Sequence, residues 1–121
     1  KKEIINKFGI QKISKIEIPN DGIDIKAIEG TPVYPVLDGI VANITNLGPQ
    51  LGELIIIDHG NKNYTIYANI KEITINVNDY VDKNTLIAKV ANNPSNSEQE
   101  FLHLEIYHNE TLVNPEIWLN K

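Results

Sequence analysis

Short runs of β-branched and apolar residues, cut at regular intervals by glycine, proline, asparagine and aspartate, limit this chain's fold more than any other feature. Residues 13–18 (ISKIEI), 23–28 (IDIKAI), 33–44, 53–58 (ELIIID), 64–68, 73–77, 85–91 and 101–107 read as half-buried strands. Side chains on a strand alternate between two faces, and branched side chains fit a pleated surface. Turn formers separate the runs: Asn20-Asp21-Gly22, Glu29-Gly30, Asp38-Gly39, Gly48-Pro49, His59-Gly60-Asn61, Asn78-Asp79 and Asn92-Asn93-Pro94. Short strands spaced this evenly predict an all-β sandwich or barrel.

Helix signals are few. One turn is expected after Ala68 (NIKEI), and another from Pro115, where proline suits a first helical position and Trp118 would anchor the turn. The polar run from Asn92 to Gln99 is expected to be an exposed loop. Residues 1–12 are expected to lead into a domain over 13–121, and 121 residues suffice for one core.

Charge narrows the function. The net charge is −5 and all eleven basic residues are lysine, which argues against a phosphate-binding face and removes the bidentate arginine fork. Nucleic acid is therefore not an expected partner. The longest apolar stretch, Leu54-Ile55-Ile56-Ile57, is far too short to span a membrane. Without cysteine there is neither a disulfide nor a thiolate metal site. The absence of methionine and of an apolar stretch in the first twenty residues leads us to expect a processed product or an excised domain, targeted by something upstream.

Four segments in order resemble the LytM (M23) family of zinc-dependent peptidoglycan peptidases. GIDIKAIEGTPVYPVLDG (22–39) is similar to the opening the family writes H-x-G-x-D, then G-T-P-V and a D-G turn. IIIDHGNKNYTIYANI (55–70) resembles the H-G turn followed by a strand ending in Y-x-H. VNDYVDKNTLIAKV (77–90) resembles the V-x-x-G-D-x-V hairpin, and FLHLEIYHNETLVNPEIWL (101–119) the H-x-H-F-E strand with its N-P turn. The resemblance implies an antiparallel β-sandwich or barrel-sandwich hybrid of LytM type with minimal helix. The hairpin alone could also suit a lipoyl or biotinyl carrier, but Lys83 stands between Asp82 and Asn84 rather than at a hairpin tip.

An active member would hold one zinc ion with two histidines and an aspartate and leave a fourth position for water. Two further histidines would activate that water and steady the tetrahedral intermediate. Mapped onto this chain, the first metal histidine falls on Asn20, Asp24 keeps the aspartate, and Asn69 takes the place of a catalytic histidine. Phe101 stands at the first position of H-x-H and His103 keeps the second. An asparagine carbonyl is a weak donor for zinc, and a phenyl ring cannot move a proton. His103 would then be either a remaining ligand or a strand histidine hydrogen-bonded to Asp24.

The resemblance therefore implies a pseudoenzyme with no cofactor and its zinc site lost. Its groove, lined by Asn20, Asp24, Tyr67, Asn69, Phe101 and His103, would bind a protein. Degenerate members of the EnvC and NlpD type activate peptidoglycan amidases in cell separation, and those are the partners implied here, in the periplasm or cell envelope. The alternatives are an active zinc endopeptidase, a sporulation-type interaction domain and a peptidoglycan-binding module. Tyr67 and Tyr107 could line the groove or simply pack within strands. His59 before Gly60 fits a tight turn without a catalytic role, His108 fits a solvent-exposed loop, and Gly30, Gly39, Gly48, Gly52 and Gly60 fit turns.

Overall fold

The computed structural model describes residues 3–13, 16–49, 52–93, 100–109 and 111–119, with the side chains of residues 10–20 and of Trp118 outside the description. The expected loop over 94–99 and the Trp118 anchor thus lie outside the described residues. The strands are β1 (Ile4–Asn6), β2 (Gly9–Ile13), β3 (Ile16–Asn20), β4 (Ile23–Lys26), β5 (Pro32–Val33) and β6 (Gly39–Asn46). They continue as β7 (Glu53–Gly60), β8 (Asn63–Lys71), β9 (Tyr80–Val81), β10 (Ala88–Val90), β11 (Phe101–His108) and β12 (Thr111–Val113), and α1 (Pro115–Leu119) closes the chain.

One antiparallel sheet runs β1-β4-β11-β8-β7-β6-β9, with β12 beside β11 and β10 joining β5 to β8. β2 and β3 form a separate hairpin. The all-β architecture read from the sequence is the one observed. Alternation sets the core: Ile23, Ile55, Ile57, Tyr67, Leu104 and Ile106 point to one side and are buried there with Val41, Val81 and Val90. The β7–β8 hairpin turns on Asn61 and Lys62, both at positive φ. This two-residue turn matches the twist of the paired strands.

Several local expectations are corrected. Residues 13–18 straddle β2 and β3 rather than forming one strand, and the segment before residue 13 supplies β1, which pairs with β4. The run 33–44 is split into β5 and β6 by Tyr34–Asp38, where Pro35 has no amide hydrogen to continue a ladder. Residues 73–77 are not a strand. Glu72 and Asn78 adopt positive φ on either side of them, and Ile73 and Ile75 simply pack on the core while Thr74 donates to Ile87 O. No helical turn follows Ala68: β8 runs on to Lys71, with Asn69 in the left-handed region at φ 61. At the C-terminus the expected turn is α1, where Asn114 Oδ1 accepts from the Glu116 amide at 3.0 Å and Pro115 takes the first position.

Candidate functional site

The face of the sheet turned away from the core carries the chemistry, and strand pairing arranges it in rows. On β11, Leu104 and Ile106 point inward, so Phe101, His103, Glu105 and Tyr107 project to the outer face. His103 is opposite Asp24 of β4 on one side and Ala68 of β8 on the other. β4 and β11 approach so closely at Gly22 that a Cβ there would lie 2.1 Å from the Leu104 carbonyl oxygen. Only glycine fits, and that contact sets the spacing between Asp24 and His103.

His103 is held on both ring nitrogens. Nδ1 lies 2.6 Å from Asp24 Oδ1 and Nε2 lies 2.8 Å from Glu105 Oε2. Asn6 of β1 donates its side-chain amide to Asp24 Oδ2 at 2.8 Å. The imidazole and the Asp24 carboxylate are 21% and 12% exposed, so water screens the pair weakly. Burial pulls the His103 pKa down, but the hydrogen bonds and charges of Asp24 and Glu105 outweigh it and push the value up to about 9. Near neutrality the ring is an imidazolium donating to two carboxylates.

This arrangement does not fit a catalytic zinc centre. A zinc ligand must offer a free imidazole lone pair, and a catalytic site needs three protein donors. A cation entering between Asp24 and His103 would have to displace the shared proton and, among the described residues, would then meet two donors, since Glu105 sits at the opposite edge of the ring. Asn69 is occupied as well, its Nδ2 donating to the Phe101 carbonyl at 2.7 Å. Among the described residues no group of three or more histidine, aspartate and glutamate side chains is placed to hold a metal ion.

Of the residues read from the sequence, the structure brings Asp24 and His103 into contact and places Phe101 and Asn69 beside them. Asn20 ends β3 opposite Gly9, and its side chain lies outside the described residues. Tyr67 is a correction. It is 1% exposed on the core side, with its hydroxyl 2.8 Å from Thr65 Oγ1 and accepting from the Val36 amide at 3.0 Å. Its neighbour Ala68 faces His103, so alternation turns Tyr67 away from the groove. Burial, only partly offset by those hydrogen bonds, pushes the Tyr67 phenol up to about 12.

Two residues were missed. Glu105 could have been found, because a residue two positions from His103 on a strand shares its face. Asn6 carried no signal.

Two hollows lie outside the Asp24–His103 contact. One of about 470 Å³ lies beside Asn69 and is bordered by Asn46, Pro49, Glu53, Lys71 and Asn92. A larger one of about 760 Å³ lies at the far end of β8 and β11, where Tyr64, Tyr107, His59, Lys83 and Leu119 meet.

Comparison with known proteins places the fold. The description of Peptidase family M23 matches residues 18–115. The chain is 28% identical over 110 residues to the cell division protein DipM of Caulobacter vibrioides, covering 91% of the chain and 17% of the relative. It is 32% identical over 99 residues to an NlpD/LppB homolog of Buchnera aphidicola, covering 82% of the chain and 29% of the relative. The chain thus spans well under half the length of these curated relatives. Among solved structures, LytU superposes with a TM-score of 0.84 at 22% identity over 99% of this chain and 86% of that one. A chain of the SpoIIQ–SpoIIIAH pore-forming complex superposes with a TM-score of 0.79 at 20% identity, over 96% and 82%. At such identities the structural likeness speaks for the fold alone.

Proposed function

Since this chain belongs to Peptidase family M23, we propose that it is a catalytically inactive member, with its zinc site lost, that binds and regulates another protein of the bacterial cell envelope. The partner proposed is a peptidoglycan amidase, activated during cell-wall remodelling or cell separation outside the cytoplasm. The relatives named for cell division and for NlpD support this direction. One observation carries the reading: His103 spends both ring nitrogens on Asp24 and Glu105. That pairing supports the loss of His103 as a metal ligand.

What remains is a floor suited to recognition. Phe101 is half-buried beside Asn69, and the hollow next to Asn69 is wide enough for a partner's side chains. Aromatic groups set among near-neutral polar ones anchor many protein interfaces. The test combines zinc titration by calorimetry with two activity assays, cleavage of a glycine-bridged peptide and release of stem peptides by an added amidase. The reading requires no stoichiometric zinc, no cleavage, and amidase stimulation that Phe101→Ala reduces at least tenfold while its circular dichroism stays unchanged. Tight zinc binding together with turnover would establish an active endopeptidase instead.

A further inference from the structure

The outer face carries a second row of side chains, about four residues along β11 from His103, or roughly 13 Å at strand rise. Pairing defines it residue by residue: Tyr80 opposite Ile40, Ile40 opposite Asp58, Asp58 opposite Tyr64, Tyr64 opposite Tyr107, and Tyr107 opposite Leu112. Their neighbours Val81, Val41, Ile57, Thr65 and Ile106 are buried, which confirms that the row faces outward. Six strands separated by about 4.8 Å make a track on the order of 24 Å long.

Two polar groups of the row have partners in the fold, Asp58 Oδ1 accepting from the Gly60 amide at 2.8 Å and the Tyr80 hydroxyl bonding Asp38, while its rings and aliphatic side chains stay partly open among the described residues. Tyr80 is 62% exposed and Ile40 42% exposed. Among the described residues, the hydroxyls of Tyr64 and Tyr107 have no hydrogen-bond partner. Both rings also border the 760 Å³ hollow, which Thr65 and Ile106 of the core face line as well, so the hollow opens at the end of the sheet beside the row. Three tyrosines and two aliphatic residues on six successive strands form a patch of the kind that marks interaction sites.

The surrounding charge selects the occupant. Asp58 lies within the row. Burial, then the charges of Glu105 and Asp21, raise the pKa of Tyr107; burial, then the charge and hydrogen bond of Asp38 and the charge of Asp82, raise that of Tyr80. Carboxylates thus stand near Tyr80, near Tyr107 and at Asp58 between them, while the hollow is bordered by one lysine, Lys83. A cation over a tyrosine face gains from the ring quadrupole, and flanking carboxylates add complementary charge. An acidic partner would be repelled, and a neutral glycan would gain nothing from the carboxylates.

We propose that the row from Tyr80 to Leu112 docks a segment of another protein bearing lysine and arginine, at a place distinct from the Asp24–His103 centre. This goes beyond the function proposed above. Its test involves no amidase, so either reading can fail without the other.

The probe is a displayed library of random peptides panned against the 121-residue chain. Selected peptides should be enriched at least threefold in lysine and arginine over the input, and should shift the ring resonances of Tyr64, Tyr80 and Tyr107. Tyr80→Ala, at an exposed edge where folding is not at risk, and Tyr64→Ala should each weaken those peptides at least tenfold. Tyr34→Ala, on another exposed tyrosine, should not. Enrichment of acidic residues, absence of enrichment, shifts confined to resonances around His103, or the same ring shifts produced by isolated glycan strands would each overturn the proposal.

Discussion

His59 and His103 project from the same sheet, each near one end of a long strand, and they have opposite kinds of partner. His59 of β7 places Nδ1 at 2.7 Å from the Asp38 carbonyl oxygen and Nε2 at 2.8 Å from Thr65 Oγ1. Both partners are uncharged. His103 of β11 meets a carboxylate on each nitrogen, which carries its pKa up to about 9 against the pull of burial. The same side chain is thus a bracket between backbone and hydroxyl at one end, and a charge between two anions at the other. The neighbouring strands decide which, through the residues they set opposite and beside each ring.

Each histidine also has a glycine packed against its strand, and these give the largest expected effects. A Cβ on Gly22 would stand 2.1 Å from the Leu104 carbonyl oxygen, and one on Gly39 2.5 Å from the Asp58 carbonyl oxygen and 3.0 Å from His59 Nδ1. Backbone atoms cannot rotate away, so strands must separate. Gly22→Ala is expected to cost about 3 kcal/mol or more in guanidinium unfolding, with Gly39→Ala close behind. If the comparison holds, Gly22→Ala shifts the His103 ring resonances and spares those of His59, while Gly39→Ala does the reverse. Equal disturbance of both rings by either variant would mean that the two centres are not independent.

Removing one anion comes next. Asp24→Ala leaves the imidazolium with Glu105 alone and strips Asn6 of its acceptor. For a pair this weakly screened, the loss is expected to be about 2–3 kcal/mol. The His103 pKa should fall from about 9 toward its ordinary 6.5, read by NMR titration. Because the folded value lies above the unfolded one, the ion pairs stabilise fully below about pH 6.5, and that contribution is lost as pH rises through about 9. Unfolding of the unaltered protein at pH 6 and pH 10 should therefore differ by on the order of 3 kcal/mol. His103→Gln should flatten the difference. A slope that survives that substitution would assign the effect to another group.

How much of this contrast could be read in advance depends on the range of the interaction. The contact between Asp24 and His103 was legible because the first motif and the last strand each keep one residue of a known arrangement. Glu105 was legible in principle from alternation alone. Tyr67 was misassigned because its motif position was followed while its parity was not: Ala68, one residue on, faces His103. Asn6 was invisible, since β1 pairs with β4 across eighteen residues and three short β-branched segments look alike as candidates. The breaks at Tyr34–Asp38 and around 73–77 escaped for a related reason. Apolar residues there pack on the core without the regular pairing that alternation suggests.

The smallest effect belongs to the bracket around His59, whose two partners are a backbone carbonyl and a hydroxyl. Thr65 is 1% exposed, and its hydroxyl stands 2.8 Å from both His59 Nε2 and the Tyr67 hydroxyl. Thr65→Val keeps the shape and deletes that oxygen, so His59 loses one partner while Nδ1 keeps the Asp38 carbonyl. Tyr67 still accepts from the Val36 amide. One unsatisfied nitrogen and one poorly satisfied phenol should cost about 1–2 kcal/mol. Because no charged partner is removed, the change in stability between pH 6 and pH 10 should be the same in Thr65→Val as in the unaltered protein. Chemical unfolding at both pH values checks this directly, and a flattened slope would show that the two histidines are coupled through β8, against the contrast drawn between them.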